Sequence, residues 1–151
     1  MTINPYSKIE TSTNFQTFEF ESVGKKNIKK HVVFECVDEV EQIYNLALCS
    51  ILDNGELDCI TATKNGDMKR IFETLAYIVI IYTDKYPDRK IFIRGSDSVR
   101  TRQYQVSLSL NITDILKLFT IEGVTLKNEE MKERESFRVG KNYDGFILMK
   151  K

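Results

Sequence analysis

The sequence predicts an α+β fold: a largely antiparallel sheet, built as a β-meander followed by helix-strand-helix-strand, with helices packed on one face. Three observations predict it. Period-2 alternation dominates the first sixty residues, as half-buried strands require. The period then switches to helical spacing from Met68 to Tyr82. Short β-type runs return at Lys90–Arg94 and Gly145–Met149. Strands gathered first and helices interleaved later fit an antiparallel sheet rather than a βαβ array.

In chain order, residues 1–14 are rich in Ser, Thr and Asn and are expected to run flexibly over the surface, leaving 15–151 as a single domain. Phe18-Glu19-Phe20-Glu21-Ser22-Val23 reads as the first strand, Lys30–Val37 as the second and Ile43–Ser50 as the third. Asp53-Asn54-Gly55-Glu56 is a hairpin turn, because Asn-Gly tolerates the positive φ that tight turns need. Leu57–Thr63 closes the four-stranded meander. Asn65-Gly66-Asp67 supplies helix-start chemistry, with a side-chain oxygen there accepting an orphan N–H. The helix that follows is apolar almost all round from Leu75 to Tyr82, so deep burial is expected, and Tyr86-Pro87 ends it. After the strand at Lys90–Arg94, residues 97–112 admit two readings. Ser96 or Ser98 could cap a helix over roughly 97–109, yet Val106–Ile112 alternates as a strand would. Asn111 or Thr113 is placed to cap a short helix carrying Ile115, Leu116, Leu118 and Phe119. The charged run Lys127–Glu135 reads as a solvated loop or short exposed helix.

Composition narrows function. The chain has 151 residues, with 22 Lys+Arg against 22 Asp+Glu. A duplex-binding protein is usually basic, because each neutralised phosphate needs a cation nearby. Any nucleic-acid binding here would need a local patch, and the clearest, Lys25–His31, reads as a solvated hairpin end. Cys36, Cys49 and Cys59 lack zinc or redox spacing, and their odd number argues against a disulfide framework. They are expected to be reduced, buried thiols in a cytoplasmic protein. No secretory signal pattern opens the chain, and the longest apolar run, Leu75–Tyr82, is far too short to span a bilayer.

Catalytic motifs are tested against their ordinary explanations. The lone histidine, His31, is expected on an exposed or edge strand rather than as a base, since no nucleophile elbow accompanies it. No Gly-rich phosphate loop is present, and a metal cluster from Asp53, Asp58, Asp67 and Glu35 would presuppose the fold needed to prove it. No metal and no cofactor are expected. What remains is Arg94-Gly95-Ser96-Asp97-Ser98-Val99-Arg100-Thr101-Arg102-Gln103-Tyr104. A strand delivers Arg94, Gly95 allows a tight path, and Ser96 opens the helix. Helix-start N–H groups and guanidinium forks suit an anion, and Tyr104 shares a helical face with Arg100. Arg94, Ser96, Arg100, Arg102 and Tyr104 are therefore the candidate ligand-binding residues. The ordinary alternative is that the arginines pair with Asp97, Glu73 or Asp84 and hold helix to sheet.

The segments Phe20–Gly24, Ile43–Ala47, Asn65–Asp67, Tyr86-Pro87, Phe92–Ser96 with Arg100–Tyr104, and Gly140–Phe146 make the chain resemble a bacterial family known as a domain of unknown function. The likeness runs from about residue 15 to the C-terminus, and the Gly-Ser, Arg-Thr-Arg, Tyr element is its most specific part. It implies that the segment after Ser96 is helical. Asp97 and Ser98 stand where a Thr and another small or polar residue are usual, and Gln103 replaces an apolar one. No activity comes with the resemblance. The leading expectation is a non-enzymatic module binding a phosphate-containing ligand, nucleic acid or acidic protein partner. The alternative is a small RNA- or nucleotide-directed enzyme of a toxin or defence system, with Tyr104 or Tyr143 as proton donor.

Overall fold

The computed structural model describes residues 3–61 and 63–151. In chain order the elements are β1 (Glu10–Thr11), β2 (Thr17–Val23), β3 (Asn27–Asp38), β4 (Ile43–Ile51), β5 (Leu57–Asp58), α1 (Met68–Lys85), β6 (Lys90–Ile93), α2 (Ser98–Leu110), α3 (Ile112–Leu118), β7 (Phe119–Lys127), β8 (Glu130–Ser136) and β9 (Gly145–Lys150). The fold is α+β. Its open, nine-stranded sheet is mostly antiparallel, in the order β1-β2-β3-β4-β6-β9-β7-β8, with β5 pairing beside β4. Internal contacts divide the chain into two compact units. No described helix is long and apolar enough to cross a membrane.

One unit comprises the described residues up to Glu35 together with Leu46–Tyr86. Its β2–β3 hairpin pairs Thr17 with Val33 through Val23 with Asn27. The predicted alternation buries Phe18, Phe20, Val32 and Phe34 on one face. α1 meets them with Leu75, Ile78 and Tyr82, and the Tyr82 ring stacks on Phe34 at 3.8 Å. Tyr77 alone of the Leu75–Tyr82 run is exposed. The expected cap at Asp67 takes another form. Its side chain makes no capping bond, and its Oδ2 instead accepts from the Tyr6 and Ser22 hydroxyls, each at 2.5 Å. Tyr6 is buried, and its N–H donates to Thr74 Oγ1. The N-terminal segment thus contains more fixed structure than its composition indicates.

Several expectations change here. The fourth strand is two residues long, because the Asp58 carboxylate accepts the N–H groups of Ile60 and Thr61 at 3.0 Å and turns the chain out of the ladder. Cys49 and Cys59 form a disulfide, and the remaining Cys36 is exposed rather than buried. The register explains the bond: the hairpin turn sets Ser50 opposite Asp58 and Ile51 opposite Leu57, which brings Cys49 opposite Cys59. Within the basic patch, Lys30 is buried, donating to Ser50 Oγ at 2.8 Å and Thr63 Oγ1 at 3.1 Å. His31 is half-buried with Nδ1 3.1 Å from Glu19 Oε1, on a strand interior to the sheet.

The other unit comprises Cys36–Asn45 and Pro87–Lys151. Here the start of β4 runs parallel to β6, with Tyr44 opposite Ile91, and β9 lies antiparallel between β6 and β7. Ile43, Phe92, Val124 and Ile147 form its core cluster, against which Leu126 and Met131 pack. The charged run expected as a loop is strand instead: β8 pairs with β7 from Glu122↔Ser136 to Lys127↔Glu130. The hairpin turns at Asn128 and Glu129, both at positive φ (53° and 63°), the conformation that matches strand twist. The charges are partnered across the strands. Arg134 lies between Glu122 at 2.7 Å and Glu41 at 2.8 Å, and their hydrogen bonds, Glu122's foremost, raise its pKa.

Candidate functional site

The path from β6 into α2 is set by hydrogen bonds that consume the helix start. α2 is helical throughout Ser98–Leu110, which decides the two readings of this segment. Its cap is Asp97, neither Ser96 nor Ser98: Asp97 is extended (φ −146°, ψ 175°) and its Oδ1 accepts the Arg100 N–H at 2.8 Å. The Thr101 hydroxyl donates to the Asp97 carbonyl and accepts the Gly95 N–H, both at 3.0 Å. Two of the N–H groups expected to face an anion, those of Gly95 and Arg100, are therefore used within the turn. Gly95 is needed because a Cβ there would stand 2.4 Å from Arg100 Cβ and 2.5 Å from the Thr101 nitrogen.

The five candidate residues do not converge. Arg94 Nη2 is ion-paired with Glu129 Oε2 at 2.6 Å, so it does pair with an acid, though not one of those expected. Arg100 Nη1 donates to Ser96 Oγ at 3.0 Å. Arg102 donates to the side-chain oxygen of Asn142. Tyr104 is buried on the inner face with Thr101, Gln105 and Leu108. Burial raises the pKa of its hydroxyl, against the opposing pull of the Arg100 charge. The helix explains the division. Arg100 and Tyr104, four residues apart, share a face, whereas Arg102 is two residues from Arg100 and points about 200° away.

Arg102 borders two adjoining clefts. The larger, of 550 Å³, is lined by Ser98, Val99, Arg102, Gln103, Gln105, Asn142, Tyr143 and Asp144. The smaller, of 170 Å³, runs on past Val106, Ser109 and Leu110 to Gly140. One wall is α2 and the other is the 140–144 loop. Gln105 latches the two together: it donates to the Lys141 carbonyl at 2.5 Å and accepts the Tyr143 N–H at 3.3 Å. The Tyr143 hydroxyl is engaged away from the clefts, donating to Glu135 at 3.1 Å and accepting the Arg138 N–H at 3.2 Å. Asp144, on the far wall, accepts the Leu126 N–H at 2.8 Å. Among the described residues no three metal-ligating side chains come together.

Sequence reasoning missed Gln105 and Asn142, and it named Tyr143 of the loop wall only as a proton donor for the enzymatic alternative. Gly140–Phe146 already stood out as part of the family likeness, but nothing local to either segment shows that they meet. No curated protein and no solved structure matches the chain. The model of a family of unknown function, DUF6934, matches residues 2–151, and the chain belongs to that family.

Proposed function

We propose that the protein is a non-enzymatic binding module that holds an anionic group, such as a phosphate, against the Arg102 face of α2. The observation that carries this reading is the position of Arg102. It lines both clefts, its side-chain partner there is the neutral Asn142 carboxamide, and Arg94 and Arg100 line neither. A guanidinium held by a neutral acceptor keeps its full charge for a ligand oxyanion. The larger cleft also falls within the size range of small-ligand sites, roughly 300–1,000 Å³. Ser98 and Gln103 add hydrogen-bonding groups to its lining.

Titration calorimetry with inorganic phosphate and with a nucleoside monophosphate tests the reading. Arg102→Ala should weaken binding about tenfold or more, with Arg102→Lys intermediate, since lysine keeps the charge but loses the fork. Arg94→Ala should leave affinity unchanged. Equal affinity in Arg102→Ala would refute the site. The enzymatic alternative is less favoured because Tyr104 is buried and the Tyr143 hydroxyl faces Glu135. RNA incubated with the protein should keep its length distribution, and cleavage would reverse that preference.

The proposal takes the protein as bacterial and cytoplasmic, and the Cys49–Cys59 pair tests the setting. A cytoplasmic pool keeps most thiols reduced. Alkylation of quenched cells followed by mass spectrometry reads the state of this disulfide: a pair largely reduced inside cells supports the cytoplasmic reading, and a fully oxidised pair places the protein in an oxidising compartment.

A further inference from the structure

The outer face of α2 is apolar where an isolated surface helix would be polar. Val99, Val106 and Leu110 are 66%, 47% and 81% exposed. At positions i, i+7 and i+11 they fall within about 40° of one another, directly opposite the buried Tyr104 and Leu108. They form a stripe about 16 Å long, three turns of helix. Arg102 and Gln103 flank the stripe on its two sides. The smaller cleft runs beside the stripe at Val106 and Leu110, the larger at Val99. A phosphate or mononucleotide would use Arg102 but leave this stripe uncovered.

The charge on α2 is one-sided. Ser98–Leu110 contains two arginines and no acidic residue, in a chain whose net charge is zero. Two copies of α2 packed stripe to stripe would therefore set Arg102 of one against Arg102 of the other with no carboxylate from either helix, Asp144 being the one acid that lines either cleft. An occupant that satisfies both features carries apolar side chains at helical spacing and carboxylates beside them. We infer that α2 and the 140–144 loop dock an acidic amphipathic segment of a partner protein, its apolar residues on Val99, Val106 and Leu110 and a carboxylate on Arg102. The inference rests on the reading of Arg102 as an anion contact and narrows the anion to a protein carboxylate. Recognition would follow the helix-in-groove mode, in which i, i+3, i+4 and i+7 positions supply the anchors.

Selection of displayed random 15-residue peptides on the full chain tests it. Enriched peptides should combine Asp or Glu with Leu, Ile or Phe at helical spacing. Their affinity should fall about tenfold in Leu110→Ser and about a hundredfold in Arg102→Glu, where like charges meet. Both side chains are exposed, so circular dichroism and thermal melting should be unchanged. The inference is overturned if no peptide is enriched, if enriched peptides lack acids, or if Leu110→Ser leaves their affinity intact. A dimer in light scattering that Leu110→Ser disperses would make a second copy the occupant and also overturn it. Phosphate binding that needs Arg102 without any peptide binding would leave the anion reading standing and remove the partner. Indifference of both ligands to Arg102 would remove both.

Discussion

Replacing Gly95 by alanine tests whether the strand-to-helix junction is as tight as its geometry implies. The added Cβ would lie 2.4 Å from Arg100 Cβ, 2.5 Å from the Thr101 nitrogen and 2.7 Å from the Arg100 carbonyl carbon. These atoms belong to the first turn of α2 and cannot swing aside as a side-chain tip could. Forcing one extra methyl into such a contact costs about 1–3 kcal/mol. The shift also strains the bond from the Gly95 N–H to the Thr101 hydroxyl, worth about 1 kcal/mol. Against this, alanine restricts the unfolded chain and returns roughly 0.4–1 kcal/mol. The net expectation is a loss of about 2 kcal/mol. Urea unfolding followed by circular dichroism reads it as a lowered midpoint at unchanged slope. Gly55→Ala is the control. Its φ is +85° but nothing lies within 4 Å of the added Cβ, so it carries only the left-handed conformational cost of about 1 kcal/mol. If Gly95→Ala loses less than about 0.5 kcal/mol, or no more than Gly55→Ala, the crowding argument fails.

Two further substitutions probe other parts of the chain. Asp67→Ala strips the carboxylate that accepts from both the Tyr6 and Ser22 hydroxyls, and Ser22 is fully buried. Bonds to a charged acceptor are each worth about 1.5–3 kcal/mol, and water can partly replace them at this half-buried site, so a loss of about 2–4 kcal/mol in denaturant unfolding is expected. Asp67→Asn, which keeps one oxygen, should lose less. Glu135 is held below its ordinary value of 4.5, first by the Lys141 ammonium and also by the Tyr143 hydroxyl. With the folded value lower, the unfolded chain binds more protons in this range. The contribution is therefore full above about pH 4.5 and is lost as pH falls through the folded value. Between about pH 6 and 3 the wild type should lose more stability than Glu135→Gln, and parallel acid limbs would show that the Lys141 contact does not form.

The elements legible in the sequence are those with one buried face. β2 alternates because Phe18 and Phe20 pack inward while Glu19 and Glu21 do not. α1 shows its period because seven of its residues are buried along one side. β8 was not legible, because it lies at the sheet edge, buries no residue fully and presents charges on both faces. Its turn gave no warning either, as Asn128-Glu129 reaches positive φ without a glycine. The disulfide could not be read from spacing, since it depends on the register that places Cys49 opposite Cys59. α2 was ambiguous for a related reason. Both of its faces carry apolar residues, Tyr104 and Leu108 inside and Val106 and Leu110 outside, which breaks the helical period and mimics a strand. Only the family likeness decided it correctly.

That doubled apolar pattern also separates two roles that the linear motif merges. Read along the chain, strand, Gly-Ser turn and clustered arginines form one anion cradle. In space the turn is a clamp: Gly95, Asp97 and Thr101 bond one another, Arg100 reaches back to Ser96, and Arg94 is drawn to the β7–β8 hairpin through Glu129. The surface proposed for recognition begins past the clamp, on the opposite side of the helix. There Arg102 stands between exposed Val99 and Val106 and faces a loop that Gln105 fastens in place. A helix whose inner face is already buried by Tyr104 and Leu108 gains nothing for the fold from Val106 and Leu110. Their exposure is a cost in solubility that a bound partner would remove.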